Sequence, residues 1–364
     1  MKLPVTSWWA ASALGVGRDE TAANLERGEA PGMRLISGDI PGRDIFFGAV
    51  TAPLPEVAGH RWNMRSCRLL ELAVRAMEGE IRSCIEKYGA GRIGVVLGAS
   101  NTGIDEAEGF VDEWLEKGEK PEALDFSMIE LGTPSVYLAE RIGAAGPAYT
   151  VSTACSSAAK AFGAARRLIE CGHCDAVVTG GVDGRCRFAM NGFAALGALS
   201  PGRCRPLAPD RDGINLGEAV ALFILERAPD GASGAAHPLL AGIGETSDAY
   251  HVTAPDPEGT GAEAAMRAAL ADAGLSPSDV SYINLHGTGT LANDEMELKA
   301  VARLAAATNF VESTKSLTGH CLGAAGAIEA AICLARLAKM PPGSVALSNS
   351  FAFGGSNATV VFQS

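Results

Sequence analysis

"VSTACSSAAKAFGAARRL" (Val151–Leu168) passes from the end of an apolar strand into a run of alanine, glycine and serine, with Cys155 at the junction. Beyond Ser156 the run keeps helical spacing but is small and apolar nearly all round, the pattern of a helix buried on every side. Such residues bury little area, yet they let helices approach closely in the middle of a molecule. A second stretch echoes the first: "GHCLGAAGAIEAAICLARLA" (319–338) opens on His320 and continues as another small-residue helix. Two such helices, one in each half, predict a duplicated α/β unit with both helices central.

Working outward, short apolar runs beside glycine read as buried strands at Ile93–Leu97, Tyr149–Ser152, Ala176–Thr179, Ala219–Leu225, Val280–Leu285, Val345–Asn349 and Thr359–Phe362. Helical patterns separate them at Arg65–Tyr88, Ile104–Leu115, Thr133–Arg141, Ser156–Glu170, Gly261–Ala273, Asp294–Ala305 and Leu322–Ala338. Strands alternating with helices argue α/β. The Pro/Gly/Ala-rich stretch Ala228–Pro238 is the natural internal boundary, dividing residues 1–230 from 231–364.

Composition narrows the function classes. A net charge of −12 over 364 residues argues against a general nucleic-acid binder. Nine scattered cysteines fit reduced thiols in the cytoplasm better than a disulfide framework. The start, "MKLPVTSWWAASALG", loosely imitates a signal peptide, but Pro4, Thr6 and Ser7 interrupt it and Leu3–Trp9 reads as a first strand. No apolar run reaches the ~18 residues of a spanning helix.

The chemistry-bearing residues fall at element junctions. Cys171-Gly172-His173-Cys174 is spelled like a redox motif, but it ends a helix and leads into a strand, with Gly172 as a C-cap. Cys155 has the opposite order, strand then helix, so the unpaired N–H groups of a first turn would favour its thiolate. From this stretch alone a nucleophile and a small core residue are equally good readings. His286 ends a strand ahead of Gly287-Thr288-Gly289-Thr290, where α/β proteins bind ligands. Lys315 and His320 precede the second buried helix, and Phe353-Gly354-Gly355 forms a further loop. One cysteine with two histidines could ligate zinc, although structural zinc sites usually show close ligand pairs. The three could instead form a cysteine hydrolase site. Or they could serve a carbon–carbon condensing enzyme, with an acyl group on sulfur and imidazoles on an enolate.

"VSTACSSA", "HGTGTLANDEME", "STKSLTGHCLGAAGAIEA", "NSFAFGGSNA", "VVTGGVD" (Val177–Asp183) and "CRPLAPDRDGINLGEAVALFILE" (Cys204–Glu226) together resemble the β-ketoacyl-acyl-carrier-protein synthases, in that family's order and nearly end to end. The resemblance implies the thiolase fold: two βαβαβαββ halves in a five-layered α-β-α-β-α arrangement. It implies that Cys155 takes an acyl group from a carrier protein, with the N–H groups of Cys155 and Phe353 as oxyanion hole. His286 and His320 would stabilise the enolate left when malonyl-carrier protein loses carbon dioxide. Lys315 would hold charge near His320, against Glu297. Thr288 and Thr290 would bind pantetheine amides, Phe353 would gate the acyl pocket, Ile104 would line it, and Gly354 and Gly355 would help bind substrate. The implied chemistry needs no metal and no bound cofactor, since phosphopantetheine arrives on the carrier.

The implied partners are an acyl carrier protein and a second subunit, identical in a homodimer or related in a heterodimer. Carriers are typically acidic, so local cations must overcome net repulsion; Arg61, Arg65 and Arg68, and Arg203, Arg205 and Arg211, are the candidates. The chain departs from the family's pattern in being compact near Asn309–Glu312, near Pro341 and over Gly103–Pro134. Two other readings are a non-catalytic chain-length subunit, which would generally lack the cysteine, and a coenzyme A thiolase, which would carry a second cysteine near "SFAFGGSNA".

Overall fold

The computed structural model describes residues 1–227, 237–305, 308 and 310–364. The boundary expected at Ala228–Pro238 therefore lies mostly outside the described residues, as does Asn309.

Among the described residues, two similar sheets of five long-range-paired strands each join into one of eleven strands, the eleventh being the short Gly15–Val16 beside Leu3–Ser12. In the first, strand Leu3–Ser12 pairs antiparallel with Ala219–Glu226, which pairs antiparallel with Ala176–Asp183; Ile93–Gly98 and Ala148–Val151 follow in parallel. In the second, Leu239–Ser247 pairs antiparallel with Ser356–Gln363, then Val345–Ala352; Val280–Asn284 and Val311–Glu312 follow in parallel. Numbered along each half, both sheets run third, second, fourth, fifth, first, with the same strand directions. The two first strands meet antiparallel at Leu3–Leu240 and join the sheets. A small sheet of Met33–Ile40, Arg43–Gly48 and Leu216–Gly217 lies apart.

Helices Ser157–Glu170 and Ala325–Leu337 pack against strands of both sheets and against each other. Arg65–Ala76 and Thr133–Ile142 cover the outer face of the first sheet, and Thr260–Ala273 with Leu291–Leu304 cover the second. The result is five layers, and the small-residue composition of the central helices follows from it. A Cβ on Gly326 would come within 2.8 Å of the Ala159 nitrogen, so any larger residue would push the central helices apart. Phe162 locks the middle layer to both sheets, with its ring 5.0 Å from Phe223 and 5.7 Å from Phe362. Each edge-on pair adds about 0.5–1.5 kcal/mol beyond area burial.

Local expectations hold with adjustments. The pattern Arg65–Tyr88 is two helices, Arg65–Ala76 and Glu78–Tyr88, broken at buried Met77, whose backbone leaves the helical region at φ −110° and ψ 12°. The second central helix begins as a tight turn, Leu322–Ala324, because Leu322 has φ +51°. Strand Leu239–Ser247 is missed from the sequence because Gly242 and Gly244 make it read as loop. Those glycines admit a helix: a Cβ on Gly244 would sit 2.0 Å from the Ala265 carbonyl oxygen. The hairpin Met33–Gly48 escapes for another reason: its first strand is half exposed and shows little apolar alternation. Cys171–Cys174 does end a helix, with Gly172 at φ +74°, and the redox reading lapses. Among the described residues no helix is long and apolar enough to cross a membrane.

Candidate functional site

Cys155 sits on the turn between strand Ala148–Val151 and helix Ser157–Glu170. The turn is strained: Ala154 has φ +51°, which costs roughly 1–2 kcal/mol for a residue with a Cβ. Ser157 compensates, accepting from the Thr153 N–H at 2.9 Å and donating to the Ala154 carbonyl at 2.5 Å. The serines and threonine around Cys155 thus hold its backbone.

From the other half come His286 and His320, with ring centroids 5.4 Å apart and nearly perpendicular planes. The cysteine sulfur and one nitrogen of each imidazole lie within 4.8 Å of one another, all three residues buried. The His286 turn is held by Glu297, whose carboxylate accepts the His286 N–H at 2.8 Å and the Gly287 N–H at 2.7 Å. Asn349 donates to the same carboxylate at 3.1 Å. The expected pairing of Lys315 with Glu297 is therefore corrected. Lys315 forms its ion pair with Glu329, and its ammonium also meets the His286 carbonyl oxygen and lies 3.4 Å from His286 Nδ1. Glu329 was legible as a signal: it is the lone acid in an apolar helix, and a charge in such a place needs a partner.

Protonation follows from burial. Both imidazoles are held well below their ordinary range, by desolvation first and by the Lys315 charge second. Nδ1 of His320 accepts the Leu322 N–H at 2.8 Å, which places the proton on Nε2. That Nε2 is buried and without a hydrogen-bond partner among the described residues. A nitrogen carrying its proton has no lone pair for a metal, so the donor set does not fit zinc in this tautomer. The Cys155 thiol is pushed up to about 11 by burial; the Lys315 charge and the N–H groups of Phe353 and Cys155 favour its thiolate but do not outweigh desolvation. The N–H groups favour the thiolate as their position suggests, but burial outweighs them and favours a thiol facing two neutral imidazoles.

A cavity of about 370 Å³ opens onto these three residues, with Thr288, Thr290 and Phe353 also in its wall. The two threonine hydroxyls are 2.9 Å apart. The Phe353 ring stacks on Phe193 at 5.8 Å and remains 39% exposed. Gly354 and Gly355 shape the loop rather than the cavity wall; both have positive φ, and the Gly354 N–H donates to the Val252 carbonyl. Ile104 is not in this wall; it begins helix Ile104–Lys117.

The arginines separate. Arg65 pairs with Glu218, which is fully buried, so it holds the framework. Arg65→Glu is accordingly expected to destabilise the protein by about 3 kcal/mol, since it leaves a buried carboxylate facing another carboxylate. Thermal unfolding would show it, with activity on carrier-bound and small thioesters falling together. Arg68 donates to the Leu54 and Pro55 carbonyls, and Arg211 is buried beside Asp294. Arg203 donates to the Ser316 carbonyl and Arg205 pairs with exposed Asp210. Arg61 lies over the Trp62 ring, 3.7 Å from Glu140.

A cysteine on a strained turn thus faces two imidazoles where two like halves meet, the arrangement of a thiol-centred acyl-transfer site. The chain belongs to the β-ketoacyl synthase family: the family's N-terminal domain model matches residues 60–231 and its C-terminal domain model residues 237–342. It is 33% identical to nodulation protein E of Rhizobium meliloti, over 96% of each chain. It is also 33% identical to 3-oxoacyl-[acyl-carrier-protein] synthase 2 of Staphylococcus aureus, over 82% of this chain and 84% of that one. Among solved structures, a chain of the ketosynthase ApeO in complex with its chain length factor ApeC from Xenorhabdus doucetiae superposes with a TM-score of 0.92 at 38% identity, over 99% of this chain and 97% of that one. The ishigamide ketosynthase/chain length factor gives 0.89 at 27% identity, over 100% and 99%.

Proposed function

We propose that this β-ketoacyl synthase condenses an acyl group held on Cys155 with malonyl-carrier protein, in fatty-acid or polyketide and polyene chain elongation. The observation that carries the reading is the unpartnered Nε2–H of His320, within a cluster whose reacting atoms lie within 4.8 Å. In the first half-reaction Cys155 sulfur attacks the thioester carbonyl of acyl-carrier protein. A new sulfur–carbon bond forms, the old one breaks, and the thiol proton leaves with the phosphopantetheine sulfur. The N–H groups of Cys155 and Phe353 meet the transient oxyanion. In the second, the malonyl thioester oxygen accepts hydrogen bonds from His286 and His320, carbon dioxide departs, and the enolate carbon attacks acyl-Cys155. Sulfur leaves as thiolate and takes up one proton from solvent, and the β-ketoacyl product stays on the carrier. Lys315 with Glu329 holds the His286 backbone, and Thr288 and Thr290 offer hydroxyls to the pantetheine arm. Neutral imidazoles suit this role, because each must donate a hydrogen bond without surrendering its proton.

The two halves, residues 1–230 and 231–364, each supply part of the site. The ApeO complex supports a heterodimer with a related subunit over a homodimer, and nine free cysteines support a cytoplasmic setting. Cys155, His286 and His320 together favour the catalytic reading over a chain-length subunit. Incubation with acyl- and malonyl-carrier protein should yield acyl-Cys155 and β-ketoacyl product by mass spectrometry; acylation elsewhere, or none, would exclude condensation at this site. His320→Ala should still acylate Cys155 at near-native rate, but decarboxylate malonyl-carrier protein about 10²–10³-fold more slowly. Retained decarboxylation would show that His320 has another task.

A further inference from the structure

Asp183 ends strand Ala176–Asp183 and is fully buried, with no ion-pair partner among the described residues. Its carboxylate instead accepts from the Ser100 N–H at 2.9 Å, the Ser100 hydroxyl at 2.8 Å, the Asn101 N–H at 2.8 Å and the Gly323 N–H at 2.6 Å. The first three donors belong to the half that carries Cys155, and the fourth to the turn that follows His320. That turn is strained, for Leu322 has φ +51°. The Leu322 N–H is also the group that bonds His320 Nδ1 at 2.8 Å. Holding the Gly323 N–H on a fixed carboxylate sets the plane of the Leu322–Gly323 peptide. The approach is close by construction: a Cβ on Gly323 would lie 2.7 Å from Asp183 Oδ2 and 2.8 Å from the Ala99 carbonyl carbon.

We propose that Asp183 is a positioning residue whose carboxylate keeps Leu322 left-handed, so that the Leu322 N–H fixes His320 with its proton on Nε2. The consequence for the reaction rests on the reading of His320 given above; the coupling itself does not. Burial raises the Asp183 carboxyl only to about 6 against its four donors, so it remains an anionic acceptor at neutral pH. The clamp spans both halves and ties the second imidazole to the loop beside the nucleophile. The leucine strain that it holds costs roughly as much as the Ala154 turn does.

The test is Asp183→Asn in the full-length protein, with histidines labelled by nitrogen-15 and the His320 signals assigned by their loss in His320→Ala. The native protein should show His320 protonated on Nε2 alone, and the variant a mixture of tautomers. Acylation of Cys155 should stay within about 3-fold while malonyl decarboxylation falls about 10²-fold, the scale of losing one preorganised donor. Leu322→Gly added to Asp183→Asn should recover decarboxylation at least about 10-fold, since glycine takes positive φ without steric cost. An unchanged His320 tautomer, equal losses in both half-reactions, or no recovery from the glycine would each overturn the proposal. If Asp183→Asn fails to fold, Gly323→Ala displaces the same N–H and should produce the same tautomer mixture; a native tautomer there would also overturn it. Retained decarboxylation in His320→Ala would sink the role assigned to His320 and leave the tautomer measurement as a test of the clamp.

Discussion

With alanine in place of Cys155 the protein is expected to lose acyl transfer and condensation while still releasing carbon dioxide from malonyl-carrier protein. In the proposed reaction the acyl group is held on this sulfur, so its removal should cost condensation roughly 10⁴-fold or more. Decarboxylation calls on other groups. The His320 Nε2–H and the imidazole of His286 are held by the backbone around Leu322 and by Lys315, not by the thiol. The structural cost is small, because alanine leaves a void of about one sulfur beside an existing cavity, worth about 1 kcal/mol. Intact-protein mass spectrometry should show no acyl adduct, and a headspace assay should show carbon dioxide from malonyl-carrier protein alone. Parallel loss of both activities would show that the thiol takes part in forming the enolate and that the division of labour is wrong.

The second large effect is on stability. Lys315 is fully buried and paired with Glu329, itself 2% exposed. Lys315→Met leaves that carboxylate alone in the core and should destabilise the protein by about 3–5 kcal/mol. The sign of the pH dependence follows from Glu329, which burial pushes up to about 7 despite the opposing Lys315 charge, against about 4.3 in an unfolded chain. A carboxyl raised in the folded state contributes fully below its unfolded value and loses that contribution as pH rises through the folded one. Without Lys315 the folded value climbs further. The variant's deficit against the native protein should therefore be small near pH 5 and grow toward pH 8 in denaturant titrations. Adding Glu329→Gln should restore most of the stability and none of the activity, since the His286 carbonyl and Nδ1 still lack the ammonium. A deficit independent of pH would mean that Lys315 matters by packing alone.

Much of this protein is legible along the chain. The two small-residue stretches carry the duplicated fold, because a helix packed on both sides by sheets has no room for large side chains and no face for polar ones. Cys155, His286 and His320 are legible because each stands where a strand or turn ends beside glycine, a local pattern. Elements whose reason lies in a neighbour were not. Strand Leu239–Ser247 looks like loop until helix Thr260–Ala273 is laid across Gly244, and Met77 breaks a helix whose spacing runs on without a fault.

What sequence by itself determined was the alternation of elements, the two central helices and the choice of Cys155, His286 and His320 as one candidate cluster, which the fold brings together. Tertiary structure alone decided the partners and the charges. Lys315 meets Glu329 rather than Glu297, and Arg65 meets buried Glu218. The Cys155 sulfur is a thiol and the imidazoles are neutral because all three are buried together. Spacing along a chain reports which backbone groups are local, whereas ion pairs and protonation depend on distance through a low-dielectric interior, which only the folded arrangement sets.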